Sequence, residues 1–575
     1  MKIMHVTVEV ARAEAAAAEA LVLTHCEGEG LVGQDAALID RSLGGSLSKL
    51  VQSKEFEGKA NEVLLYHTQG AVPAKRLVLV GLGKKHDVTL EKIRQAMGSA
   101  SKRVRQAKVG SFAVALPSIT PTGMSGVEVA QAMVEGAILG NYRFTVYRSE
   151  TAPEQDLAGM KILVPRKSQL RQVTEGIRRG VATAEATVFV RDLCNHPSNV
   201  LTPARVAEEA KAVAKAEGIT IKVLDQKEME HLGMGALLGV ARGSQEPPKF
   251  IILEYNGAKK KDERPVVLVG KTITFDTGGI SLKPAENMEH MKADMTGGAE
   301  VLASIRAAAR LKLPLRLISI LPVAENMPGG RAMKPGDIVT TLSGKTVEVQ
   351  NTDAEGRLIL ADGLAYAMRY KPAALIDIAT LTGACVVALG QFAIGMFGTD
   401  QRLKEQVRKS GLTAGERVWE MPLWEEYFEQ LKSDVADMRN IGGRGGGMAR
   451  APHFRLLVDC ADRGGAGVPR LPAPRADQPA LRDCGARCVW SGGVYRHQRS
   501  VRRAAWTLAC GRARGRGIRD HTLPLEDALR SDRGARRGQR HHRRLRRHDG
   551  ALGIALIAQR ASAFSTNSRA CALTA

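Results

Sequence analysis

Cysteine is scarce where this 575-residue chain looks most like an ordinary protein: only Cys26, Cys194 and Cys385 precede residue 450, widely spaced. That excludes a small disulfide-stapled secreted fold and points to a reducing, cytoplasmic setting. Long apolar runs are missing too. The longest tract, 375–390, is interrupted by Asp377, Thr380 and Thr382 and is too short to span a bilayer, so no membrane role is expected. The first residues lack the basic head, apolar block and small-residue cleavage site of a secretory signal. They alternate apolar side chains through Met4, Val6, Val8 and Val10 instead, as a first strand does. Lysine, finally, vanishes beyond Lys432.

What is present is a chain with 44% apolar residues, enough for a large core and too long for one ordinary domain. A net charge of +23 suggests nucleic acid only if it is spread evenly, and it is not. Residues 451–575 hold 25 arginines, no lysine and nine acidic residues, a net of +16, which leaves +7 for residues 1–450. Up to residue 450 the chain uses 30 lysines and 28 arginines. The remainder is rich in Arg, Gly, Ala and Pro (GRARGRGIRD, HHRRLRRHDG), shows no sustained helical or strand period, and scatters five cysteines and two tryptophans. A basic nucleic-acid arm is one explanation. A natural basic tail usually mixes Lys with Arg, so the composition favours the other: a stretch never selected to fold, such as translation in a shifted frame. Residues 448–575 are therefore expected to be an aberrant, disordered tail.

Two α/β regions precede it. Over 1–170, short β-like runs at 63–66, 76–80, 111–116 and 161–164 alternate with helical patterns at 88–107 and 126–139, the mark of a layered α/β domain. A long helix, 168–193, is stopped by NHPSNVLTP, where Pro197 and Pro203 forbid its continuation. The second region, 171–447, adds a helix at 204–216, strands at 220–224, 249–255 and 265–269, a helix at 298–310, and strands at 315–322 and 374–378. Continuous apolar strands such as IILEY and VVLVG predict a sheet covered on both faces.

The chemistry concentrates in the second region. In VVLVGKTITFDTGGISLKP (266–284) the GKT resembles a phosphate loop, but that motif needs a glycine at 265 and Pro265 stands there. What remains is Lys271 just past a buried strand, Asp276 five residues on, and Lys283 after a Gly278–Gly279 turn. Asp294 follows, beside the start of an apolar helix. The stretch NTDAEGRLILADG (351–363) then sets Asp353 and Glu355 two apart. An extended segment turns such a pair to one side; a helix would splay it by about 200°. Gly356 permits a sharp turn before Arg357 opens a helix. Four carboxylates at the ends of buried segments repel one another unless cations lie among them. Lys271, Lys283 and Arg357 could serve as salt-bridge partners, or two divalent ions could bind, since such sites suit Mn²⁺, Mg²⁺ or Zn²⁺. Spacing alone leaves both open. His290, the one histidine close by, is expected to be a surface residue.

The blocks VGKTITFDTGGISLKP, MKADMTGGA, ENMPGGRAMKPGD, NTDAEGRLILADG and IATLTGACVVALG resemble, in order and spacing, the leucine aminopeptidase family (the cytosol aminopeptidases). The resemblance is weak through the N-terminal region and very strong from about 250 to 400. It implies a macro-domain-like N-terminal α/β domain plus a larger α/β catalytic domain with a mixed central sheet, usually assembled as a homohexamer. It also implies release of unsubstituted N-terminal residues, leucine preferred, from peptide substrates in cytoplasmic protein turnover.

Carried over residue by residue, the resemblance implies two divalent ions, Mn²⁺ or Zn²⁺. One is held by Lys271, Asp276, Asp294 and Glu355, the other by Asp276, Asp353 and Glu355. A hydroxide bridging the ions would attack the peptide carbonyl, while the substrate's free α-amine binds one ion, which accounts for exopeptidase action. Lys283 and Arg357 fall on the two catalytic positions, Lys283 stabilising the developing oxyanion and Arg357 holding a bicarbonate ion as general base. Thr380, Gly383 and Met291 resemble the lining of the first side-chain pocket. Three departures stand out: Thr272 replaces a usual glycine, Thr296–Gly297–Gly298 varies a small-residue helix start, and nothing after Gly447 resembles the family's closing helix, buried strand and final helix.

Overall fold

A computed structural model describes residues 3–30, 34–117, 123–149, 156–260, 262–442 and the backbone of 488–492. The N-terminal sheet contains β1 (His5–Val10), β2 (Leu21–Glu27), β3 (Val63–His67), β4 (Arg76–Lys84), β5 (Ser111–Ala115) and β6 (Gly159–Val164), in the order β1-β6-β5-β2-β4-β3. Every pairing is parallel except β3 with β4. The apolar run in β4 follows from coverage on both faces, with side chains alternating between them. Val78, Val80 and Leu82 join a core built with helices Leu90–Gln106 and Gly126–Asn141. Leu77 and Leu79 point the other way, to Ile39, Leu47 and Phe56. Ser125 and Glu128 form a capping box that starts the second of these helices.

Helix Leu170–Asn195 runs from this sheet to the larger one and packs on both Gly126–Asn141 and Thr296–Arg310. The rest of the chain supplies β7 (Thr220–Leu224), β8 (Lys249–Asn256), β9 (Val266–Gly270), β10 (Thr272–Asp276), β11 (Arg316–Asn326), β12 (Ile338–Thr340), β13 (Thr346–Glu348), β14 (Ala374–Ala379), β15 (Ile394–Gly398), β16 (Val418–Glu420), β17 (Met438–Arg439) and β18 (Cys488–Gly492). The larger sheet is ordered β16-β15-β18-β14-β9-β11-β8-β7, and β10 pairs with β11. It is mixed: β9 lies parallel to β11 and β14, while β8 runs antiparallel to both β11 and β7. The expected α/β architecture with a mixed central sheet is what forms. Strands β12, β13 and β17 make a separate small sheet.

Two differences from the sequence-based expectation position the site. The strand expected at 315–322 continues to Asn326, and an unforeseen strand, β10, lies beside that extension. β9 pairs with Leu317–Ile320 of β11, and β10 pairs with its last residues. The break between them falls at Lys271, whose N–H turns aside to Ile378 O on β14 at 2.9 Å. The third difference concerns the chain's last portion. Residues 488–492 form a strand inserted between β14, to which it is parallel, and β15, to which it is antiparallel. The rest of the expected 448–575 tail, including the arginine runs considered as a nucleic-acid arm, lies outside the described residues. Among the described residues no helix is long and apolar enough to cross a membrane.

Candidate metal centre

Lys271 is buried where the backbones of β9 and β10 part. Its Nζ lies 2.7 Å from Asp294 Oδ2 and 2.9 Å from Glu355 Oε1. It also donates to Thr380 O at 2.9 Å. To reach them the side chain crosses directly over Gly356. A Cβ there would sit 2.4 Å from Lys271 Cε and 2.7 Å from Nζ, so any larger residue would push the lysine off its partners. Gly356 has no left-handed φ and is simply the first residue of helix Gly356–Ala367. The expected reason for this glycine, a sharp turn, is replaced by room for a lysine 85 positions earlier in the chain.

Asp276 ends β10. Its Oδ1 accepts from Asn326 Nδ2 at 2.8 Å and from Gly278 N at 2.9 Å, and its Oδ2 lies 2.8 Å from Lys283 Nζ. Lys283 also pairs with Asp353. Asp353 and Glu355 do converge, but not through an extended segment. Residues 351–354 form a turn, with Ala354 N donating to Asn351 O at 3.2 Å and Asp353 N to Asn351 Oδ1 at 2.8 Å. Glu355 is already in helical conformation at the mouth of the helix. Asp276, Asp353 and Glu355 each bring an oxygen within 4.8 Å of the others'. Asp294 follows the 3-10 turn Met288–Ala293 and accepts from Thr380 Oγ1 at 2.7 Å. Arg357 Nη1 donates to Asn440 O at 3.0 Å. All seven residues singled out in the sequence thus gather at one end of β9, β10 and β14 and the adjoining loops. His290 is part-exposed beside Glu289, as expected of a surface residue. Met291 lies on the 3-10 turn, and Gly383 immediately precedes helix Ala384–Leu389.

The electrostatics are those of crowded anions. Burial raises the carboxyls of Asp294, Glu355 and Asp353 above their ordinary range, and neighbouring carboxylates add to it. Burial pulls the Lys271 and Lys283 amines down, but the surrounding carboxylates outweigh it and hold both protonated. Salt bridging therefore accounts for part of the cluster. Four carboxylates still face two ammonium groups, and Glu355 Oε2 is buried with no hydrogen-bond partner. A divalent cation among Asp276, Asp353 and Glu355 relieves both, and the oxygen-rich donor set fits one.

Two supporting residues lie inside the quoted motif blocks, but nothing in the sequence indicated what they do there. Asn326 orients Asp276 and donates to Thr352 O at 3.1 Å. Thr352 joins the two acidic loops, its Oγ1 donating to Gly278 O at 2.6 Å and accepting from Ser281 N at 2.8 Å. The departures Thr272 and Gly298 prove complementary. A Cβ at 298 would lie 2.0 Å from Thr272 Oγ1, so the glycine makes room for the threonine.

A buried carboxylate–lysine cluster at the ends of a mixed α/β sheet, with an unsatisfied anionic oxygen, has the donor set of a divalent-metal centre. The comparisons narrow this. Residues 188–456 match the catalytic domain of the cytosol aminopeptidase family and residues 20–151 its N-terminal domain. A probable cytosol aminopeptidase of Geobacter sp. (strain M21) is 48% identical over 422 residues, 72% of this chain and 84% of that one. Its counterpart in Geobacter sulfurreducens is 45% identical over 454 residues, 78% and 90% of the two chains. Among solved structures, the bottromycin maturation enzyme BotP in complex with Mn superposes with a TM-score of 0.68 at 32% identity, covering 83% of this chain and 92% of that one. A mutant of tomato leucine aminopeptidase gives 0.72 at 29% identity, with 85% and 91% covered. The chain belongs to the cytosol aminopeptidase family and is a metallo-aminopeptidase.

Proposed function

We propose that this aminopeptidase removes unsubstituted N-terminal residues, leucine preferred, with two divalent ions, Mn²⁺ or Zn²⁺. Lys271, Asp276, Asp294 and Glu355 would hold one ion and Asp276, Asp353 and Glu355 the other. The observation that carries this is the convergence of Asp276, Asp353 and Glu355 oxygens within 4.8 Å, beside a buried Lys271–Asp294–Glu355 triad. Such ions, when bound, supply Lewis acidity that polarises a peptide carbonyl and acidifies a water molecule.

The protein's own groups do the rest. Asp276 and Asp353 keep Lys283 protonated at a part-open position, so its ammonium can stabilise negative charge developing on the carbonyl oxygen. Arg357, whose Nη1 donates to the Asn440 carbonyl, would hold a bicarbonate ion through its guanidinium, and that ion would accept a proton from the attacking water. Lys271 keeps its proton among carboxylates alone, so ligation requires that proton to leave. Thr380, Gly383 and Met291 would line the leucine pocket. Homohexameric assembly and cytoplasmic peptide turnover belong to the same proposal, supported by membership of the family.

The test uses the full chain with Mn²⁺ or Zn²⁺ on leucine p-nitroanilide and its N-acetylated form. Hydrolysis of the free amine alone is expected, with Glu355→Ala inactive. A folded, metal-loaded sample that cleaves neither compound refutes the reading.

A further inference from the structure

Asn440 lies outside the motif blocks that pointed to the site, 83 positions past Arg357, yet it is fully buried against the site's most acidic loop. Its placement begins with strand pairing. β17 runs parallel to β13, Val347 facing Met438 and Glu348 facing Arg439, and Asn440 N continues the ladder by donating to Glu348 O at 3.0 Å. There the two backbones must part, because the chain after Glu348 bends into the turn that carries Asp353 and Glu355.

The Asn440 side chain takes over where the backbone leaves off. Its Oδ1 accepts from Gln350 N at 2.9 Å and Asn351 N at 3.3 Å, and its Nδ2 donates to Asn351 O at 2.7 Å. A carboxamide carries the donor and acceptor of a peptide group. Asn440 therefore extends the ladder past its last backbone pair. Its own carbonyl meanwhile accepts from Arg357 Nη1. One residue thus grips the start of the Asp353–Glu355 turn and the guanidinium at its end.

We infer that Asn440 is a positioning residue of the aminopeptidase reaction, setting the Asn351–Glu355 turn and aiming the Arg357 guanidinium without touching a reacting atom. This rests on the function proposed above. Aspartate in its place keeps the acceptor and loses the donor, alanine loses both, and glutamine is one carbon too long.

The full chain carrying Asn440→Ala or Asn440→Asp tests this in three ways. Amide hydrogen exchange over residues 350–357 is expected to quicken about tenfold, with the N-terminal sheet unchanged. Mn²⁺ affinity by calorimetric titration is expected to fall about 10- to 100-fold. On leucine p-nitroanilide, kcat is expected to drop about tenfold with KM within about twofold, and the loss to be non-additive with that of Arg357→Lys. Unchanged exchange and kcat overturn the inference, as does full additivity with Arg357→Lys. Exchange that quickens equally throughout the molecule also overturns it, in favour of a purely structural role. If the unaltered chain cleaves no leucine amide, the peptidase reading falls, and the exchange and titration results still decide on Asn440.

Discussion

Thr380 donates its hydroxyl to Asp294 Oδ1 at 2.7 Å, while its carbonyl accepts from the Lys271 Nζ that pairs with the same carboxylate. It therefore orients two of the proposed ligands at once. Thr380→Val keeps the shape and removes only the hydroxyl. We expect Mn²⁺ affinity about 10- to 100-fold weaker, the usual effect of removing a group that orients a ligand. The unfolding free energy should fall by about 1–3 kcal/mol, because Asp294 loses a buried donor. Titration calorimetry measures the first and urea unfolding the second; wild-type affinity in the variant would show that the hydroxyl is dispensable.

A cation should also stabilise the fold itself, since the converging oxygens of Asp276, Asp353 and Glu355 repel one another without one. At a hundredfold excess over Kd, Mn²⁺ is expected to add about 2.7 kcal/mol, seen as a rise in Tm that EDTA reverses. Glu355→Gln should abolish most of that rise. A Tm indifferent to Mn²⁺ and Zn²⁺ would sink the metal centre.

Both predictions rest on residues visible in the sequence, and the reason is physical. Lys271, Asp276, Asp294, Asp353 and Glu355 are charges set abruptly at the ends of apolar segments, a pattern that needs a chemical explanation. Long periodic elements were equally legible: the helix expected over 126–139 forms as Gly126–Asn141, and that over 168–193 as Leu170–Asn195. The roles of Asn326 and Asn440 were not, although Asn326 stands in the block ENMPGGRAMKPGD, because an uncharged polar residue after a strand looks like any turn until β10 is laid beside β11 and β17 beside β13. Gly356 was visible but misread, since the lysine that excludes a side chain there comes from another strand. The β18 pairing had no local signal at all.

Asp362 should leave a mark on the pH dependence of stability. It is fully buried, its Oδ2 accepting from Leu237 N at 2.9 Å and its Oδ1 from Leu342 N at 2.7 Å. Burial pushes its carboxyl up to about 7, although those backbone donors pull the other way. An unfolded aspartate titrates near 4, about 3.9. Between these values the folded chain binds the extra proton, so the stability from this group is complete below about pH 4 and is lost as pH rises to about 7. The whole effect is at most about 4 kcal/mol. Urea midpoints should fall from pH 5 to 8, and less steeply in Asp362→Asn. That variant should also start about 1–3 kcal/mol lower, because its amide sets a donor against a backbone N–H. Identical slopes would mean that Asp362 does not titrate in this window.

The last prediction concerns β18, the only part of the arginine-rich portion with a described backbone. Ser491 sits opposite Ile378 of β14 and Met396 of β15, in the interior of the larger sheet. Proline there removes a ladder donor and cannot adopt the pairing of a central strand. Ser491→Pro is expected to cost about 2–3 kcal/mol in urea unfolding, whereas Ser491→Ala, which leaves the backbone intact, should change little. The damage should reach the metal centre, because β14 ends at Ala379 and the next residue is Thr380, which holds Asp294 and Lys271. Mn²⁺ affinity should therefore weaken in the proline variant and not in the alanine one. If both variants bind Mn²⁺ and unfold as the unaltered chain does, β18 contributes nothing to the sheet, and β14 must keep the site in place through its pairing with β9 alone.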